Sequence, residues 1–167
     1  ASRLGSSILK IKKAASNLRG KMAGAVGAYN ASSLFFDNPV KFEEEVMQEL
    51  GLKPSPISTQ IAEAEFLVDY IGSVVSAFGI LANLADDMRH LQRNEIAEVG
   101  EFFEAKQVGS STMPQKRNPI NFENVKSMWK EFMPRIITMH MDQISEHQRD
   151  LTNSASMRFV PEILAGF

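Results

Sequence analysis

The sequence predicts an all-α fold, a bundle of long helices, on three observations. Apolar residues recur at helical spacing in several separate stretches, one such seam is sustained over more than three heptads, and no stretch alternates as a strand would. The chain has 167 residues, of which 44% are hydrophobic and 23% charged, enough for one domain with a real core. Net charge is −2, which gives no argument for a nucleic-acid or membrane-surface partner. There is no cysteine, so disulfide scaffolds and thiolate zinc sites are excluded, and a reducing, cytoplasmic setting is the expectation. No apolar run approaches the ~18 residues that span a bilayer, and no signal peptide is visible. The first residue is not Met and "ASRLGSSILKIKKAASNL" already reads as helix interior, so the expectation is a piece of a longer chain.

Taken in order, Leu4, Ile8, Ile11, Ala15 and Leu18 predict an amphipathic helix over about 2–19, with the basic residues between Lys10 and Lys21 on its solvated face. Gly20, Gly24 and Gly27 then interrupt it without the order or the preceding strand of a dinucleotide site. Asp37–Asn38–Pro39 signals a helix start. Phe42, Val46, Met47 and Leu50 would face inward on the short helix that follows, and Gly51 would stop it. Pro54 and Pro56 rule out a continuous helix through "KPSPISTQ". Leu67, Ile71, Val74, Phe78, Leu81, Ala85, Met88 and Leu91 form the long seam, and the helical reading extends from about 62 to 103. Such a helix would be a rod of roughly 60 Å. Gly72 and Gly79, seven apart on it, invite close approach by another helix, so self-association is expected. Phe122, Val125, Trp129, Phe132, Ile136 and Ile137 predict a further helix to about Ile144, kinked at Pro134, and another helix is expected near Val160.

Between these helices lies "GSSTMPQKRNP", residues 109–119. Gly109, Ser110 and Ser111 can turn several backbone amides toward one point, Lys116 adds a cation and Asn118 an amide. The composition suits an anion-binding loop that moves, and it equally suits a solvated connector. A serine acting there as base would need its alkoxide stabilised by roughly five to six pKa units, on the order of 7–8 kcal/mol, for which amide donors, Lys116 and a dry closed site are the means. A Ser–His–Asp hydrolase fits worse: the nucleophile-elbow pattern is absent, and none of His90, His140 and His147 is tied to the loop by spacing. His90 is expected on the polar side of the long helix. A second cluster, Arg149, Ser154 and Arg158, offers two guanidinium forks and a hydroxyl to a phosphate or carboxylate. Pairing of Arg149 with Glu146 or Asp150 is the bland alternative.

The eleven-residue stretch resembles the GSSxMPxKxNP signature of the fumarase/aspartase superfamily, lyases that eliminate fumarate from a succinyl compound. "NFEN" at 121–124, "STQI" at 58–61, "GKMAGAVGAYNA" at 20–31 and "HQRDLTNSASMR" at 147–158 resemble the branch that acts on succinylated purine nucleotides. The resemblance implies that Ser111 is the catalytic base and that Lys116 and Asn118 stabilise the dianionic intermediate. Glu123 would orient a histidine, and Gln60, Ser110, Thr112 and Met113 would contact substrate. Arg149, Ser154 and Arg158 would hold the nucleotide phosphate. The acid histidine would lie outside this sequence, and no cofactor or metal is expected. The resemblance further implies a central helical domain flanked by N- and C-terminal domains, and a homotetramer whose sites draw on three subunits. Gln115 stands where many members of the purine branch have His and is common in the argininosuccinate branch, which keeps that branch and the carboxymuconate cycloisomerases as alternatives. A catalytically silent helical assembly protein is the alternative of another class.

Overall fold

The computed structural model describes residues 1–104, 107–144 and 152–167. Its architecture is a helical bundle laid around one central helix, as the seam leads one to expect.

Helix α1 (Ser2–Ala15) carries Lys12 and Lys13 in its last turn, where cations meet the negative end of the helix dipole. It stops short of the expected residue 19. The chain instead turns through Asn17 and Leu18 into β1 (Arg19–Gly20), which pairs in parallel with β2 (Lys53–Pro54). This ladder corrects the expectation of no strand. Two residues are too few to show alternation, so nothing in the pattern announces it.

Helix α2 (Pro39–Glu49) begins as anticipated: Asn38 Oδ1 accepts the Lys41 amide at 3.0 Å, and Pro39 occupies the first turn. Gly51, at φ +68°, lies in the left-handed region just past its end. Met47 points inward, but Leu50 is 63% exposed, because the helix has already ended and its residue 50 faces water. The inward place is taken by an acid. Glu43 is buried, accepting the Met22 amide at 2.5 Å and the Tyr29 hydroxyl.

Helix α3 (Glu65–Leu91) is the axis, with Ile71, Val74, Phe78 and Ala85 of the seam buried. Val68, Val75, Ala77 and Ala82 are buried as well, since α1 covers one side of it and α4 another. At 27 residues it is about 40 Å long, not 60. After Leu91 the only large aliphatic residues in "QRNEIAEVGE" are Ile96 and Val99, too few to bury a face, so continuing the helix gains little. Gln92 caps the helix and the chain folds back, with Ala97 at φ +52° and the Glu98 amide bonded to the Leu91 carbonyl. By length and composition α3 is apolar enough to cross a membrane, which corrects the expectation that no apolar run approaches that length; in the fold it is the core helix.

Helices α4 (Ile120–Phe132) and α5 (Arg135–Met141) replace the single kinked helix, because Pro134 separates them rather than bending one. Phe132 and Met139 enter the core with Val68, Ile71, Val75, Phe78 and Ile163. Ile137, expected inward, is 60% exposed on the outer face of the short α5. After a 3₁₀ turn at Ser156–Arg158, α6 (Phe159–Gly166) closes the bundle, and Phe167 meets the edge of Phe78 at 5.6 Å between centroids. Arg135 fastens α6 to α4 and α5. It bonds to Glu131 and Glu162 while lying over the rings of Phe132 and Phe159.

Candidate functional site

The loop at 109–119 joins the segment that leaves α3 to the start of α4. Its described part is a narrow neck with an exposed tip. At the neck, the Arg117 guanidinium stacks over Phe103, 3.7 Å from the ring centroid. Further out, Gly109 lies so close to the Lys116 carbonyl that a Cβ there would stand 1.8 Å from its oxygen, so only glycine fits. At the tip, Ser110 Oγ accepts the amides of Thr112 and Met113, both at 3.2 Å, and fixes a tight turn around Ser111. Ser111 itself is exposed. Val108, Met113 and Ile120, the loop's apolar residues, are also exposed and do not anchor it.

Below the neck the loop borders an open cleft of roughly 690 Å³ against the C-terminal end of α3. Lys116, Asn118 and Glu123 line it together with Arg89, His90 and Arg93. Of the loop residues expected to contact substrate, Met113 reaches the lining; Ser110, Ser111 and Thr112 stay on the tip above it. Under the cleft Asp86 joins α3 to α4. It accepts from Lys126 Nζ at 2.6 Å and from Arg89 at 2.9 and 3.1 Å, and its oxygen lies 4.0 Å from His90 Nε2. The Lys126 and Arg89 bonds hold the Asp86 carboxyl below the usual range. Such a cleft favours anions: four permanent cations, Arg89, Arg93, Lys116 and Arg117, and a histidine face two carboxylates, Glu95 and Glu123.

The other expected residues sit at the opposite end of α3. Gln60 is exposed, five residues before the helix begins. The carbonyl of Thr59 beside it accepts Lys21 Nζ at 2.7 Å, and the same ammonium bonds to Gly24, so the 20–31 stretch frames this end. Glu43 supports that stretch from beneath. Tyr29 adopts φ 55°, and its bond to Glu43, with burial, pushes its pKa up to about 12. Across a mostly apolar cavity of about 320 Å³, lined by Ile61, Ala62 and Phe66, lie Asn153 and Met157. Asn153 is anchored by its bond to the Asp142 carbonyl at 2.9 Å, Ser154 is half-buried, and Arg158 is exposed. Arg149 falls outside the described residues.

The fold therefore brings Lys116, Asn118 and Glu123 together and keeps them about 40 Å, one α3 length, from Gln60, Ser154 and Arg158. Sequence reasoning missed Arg89 and Arg93, whose i, i+4 spacing at a helix end was the available signal. It set His90 aside as exposed. That residue is exposed, and it also faces the cleft. Among the described residues no three His, Cys, Asp or Glu side chains group as a metal site needs.

Comparison with known proteins agrees with the signature. Residues 2–133 match the family described as lyase. Similar proteins include the adenylosuccinate lyases of Archaeoglobus fulgidus (43% identical over 141 residues, 84% of this chain), Pyrococcus abyssi (41% over 143, 86%) and Bacillus subtilis (36% over 141, 84%). In each case the match covers 31% of the relative's length, so the chain spans about a third of the curated relatives it matches. A helical fold built around α3, the intact loop and a family match over most of the chain lead to one conclusion: the chain belongs to this lyase family, within the fumarase/aspartase superfamily.

Proposed function

We propose that the full-length protein eliminates fumarate from adenylosuccinate, and from the succinylated aminoimidazole carboxamide ribotide, in purine nucleotide synthesis. The observation that carries this reading is the signature loop held above a cationic cleft with Lys116 and Asn118 in its lining; the similarity to adenylosuccinate lyases supports the choice of substrate.

In this reading Ser111 removes a proton from the succinyl carbon beside a carboxylate. The electrons pass into that carboxylate as a dianionic aci-form, against which Lys116 and Asn118 are set. Collapse of the dianion forms the fumarate double bond and breaks the C–N bond. The electron pair leaves on nitrogen, which takes a proton from an acid, expected to be a histidine of another segment. Glu123 orients a histidine. Arg149, Ser154 and Arg158 hold the nucleotide phosphate, Gln60 contacts the substrate, and Ser110, Thr112 and Met113 close around the succinyl end.

One chain cannot bring both groups to one small molecule, since α3 separates them by about 40 Å. A homotetramer in which α3 packs against copies of itself, loop end beside Gln60 end, removes the difficulty. We therefore propose that assembly, with this sequence as most of the central domain of a cytoplasmic enzyme. Assay of the full-length protein with adenylosuccinate, argininosuccinate and carboxymuconolactone is the test. Release of AMP and fumarate from the first alone is expected. Turnover of argininosuccinate instead would move the protein to the branch that Gln115 suggests, and no turnover of any would favour a silent assembly protein.

A further inference from the structure

We propose that Glu101 is a positioning residue for the signature loop, a role that rests on reading Ser111 and Lys116 as catalytic. Helix α4 starts poorly by its own means. Pro119 stands at its N-cap position and provides no side-chain acceptor for the free amides of the first turn. Glu101, twenty residues upstream, supplies both oxygens. One accepts the Asn121 amide at 3.1 Å and Asn121 Nδ2 at 2.9 Å, and the other accepts the Phe122 amide at 2.9 Å. Its negative charge sits at the positive end of the helix dipole.

The other side of this clasp is also fixed. The Glu101 amide donates to Gln92 Oε1 at 2.9 Å, and Gln92 is the residue that caps α3. A continuous path of hydrogen bonds thus runs from the end of α3 through Glu101 to the start of α4. It closes the base of the loop just below the Phe103–Arg117 stack. Ser111 stands ten residues from each side of the clasp, so a rotation at the base is carried outward to the tip. Lys116 and Asn118 lie within five residues of Asn121 and move with the start of α4. Glu101 touches neither the cleft nor the tip; it acts by fixing the direction in which the loop leaves the bundle.

The experiment compares wild type, Glu101→Gln and Glu101→Ala in the full-length protein by steady-state kinetics with adenylosuccinate and by amide hydrogen exchange. Glu101→Ala is expected to lower kcat about 10- to 100-fold, the scale of a small misplacement of catalytic groups, with KM changed less than about threefold. Glu101→Gln keeps an acceptor oxygen and should recover much of the rate. A helix cap alone would shift the melting temperature without this kcat-selective loss. Exchange at Asn121, Phe122 and the loop amides should quicken in Glu101→Ala while Ile71 and Phe78 stay protected. A kcat within about twofold of wild type, or equal loss of core protection in both variants, would overturn the proposal. If the wild type turns over no adenylosuccinate, the functional reading fails separately. The clasp is then decided by exchange alone: unprotected Asn121 and Phe122 amides in the wild type would sink it.

Discussion

Tyr29 and Glu43 form a pair that the helical pattern of the sequence conceals, because a glutamate on a helix is ordinarily read as solvent-facing. Burial reverses that: the carboxylate is retained inside because two donors, a hydroxyl and an amide, turn toward it. The phenol's raised pKa has a consequence for stability. Folding holds the Tyr29 proton more tightly, so the contribution is complete below pH 10 and is lost as pH rises toward about 12. Titration of the two tyrosines by absorbance should show a late step that disappears in Tyr29→Phe. Asp86 works with the opposite sign. Its lowered pKa adds stability above the ordinary aspartate range, lost as pH falls through the folded value, and Lys126→Met should raise the Asp86 pKa in a carbon-detected titration. At the loop tip, Ser111→Ala in the full-length protein should reduce kcat by several orders of magnitude with little change in affinity, because the hydroxyl matters as charge develops. A near wild-type rate would remove Ser111 as the base.

At the scale of elements, core and caps differ in how they can be tested. Phe132 meets Phe78 at 6.1 Å and is 2% exposed, so Phe132→Ala should cost ~3–5 kcal/mol in chemical denaturation. Asn38→Ala removes a single capping bond and should cost ~1 kcal/mol. The sequence was informative here where burial and periodicity coincide: Ile71, Val74, Phe78 and Phe132 were legible, as were the Asn38–Pro39 start and the Gly51 stop. The end of α3 was not, because helix propensity persists past Leu91 while the reason for stopping is that nothing remains to be buried. Neither were Leu50 and Ile137, which keep the correct period on helices that end or begin anew beside them. The β1–β2 ladder left no periodic trace. In the candidate site, Lys116, Asn118 and Glu123 were found through the signature, whereas Glu101, Arg89 and Arg93 meet the loop only through the fold of residues 92–104.

For the whole molecule, the separation of the two residue groups governs what can be measured. Arg158→Ala in the full-length protein should weaken nucleotide binding by ~2–4 kcal/mol if the phosphate contact is charge-assisted and desolvated, while leaving the cleft at the far end of α3 unaltered. Unchanged affinity for AMP would remove Arg158 from the phosphate site. Light scattering at micromolar concentration should give a mass of four chains; a stable monomer would refute the assembly. The length of α3 then acquires a further meaning, that of phase. Each residue of an α-helix advances 1.5 Å and turns about 100°, so α3 sets not only how far apart its two ends lie but the angle at which each faces outward. One residue added near Ser76 would swing the loop end by more than a quarter of a circle relative to the Gln60 end. Chain length is thus locked within this helix.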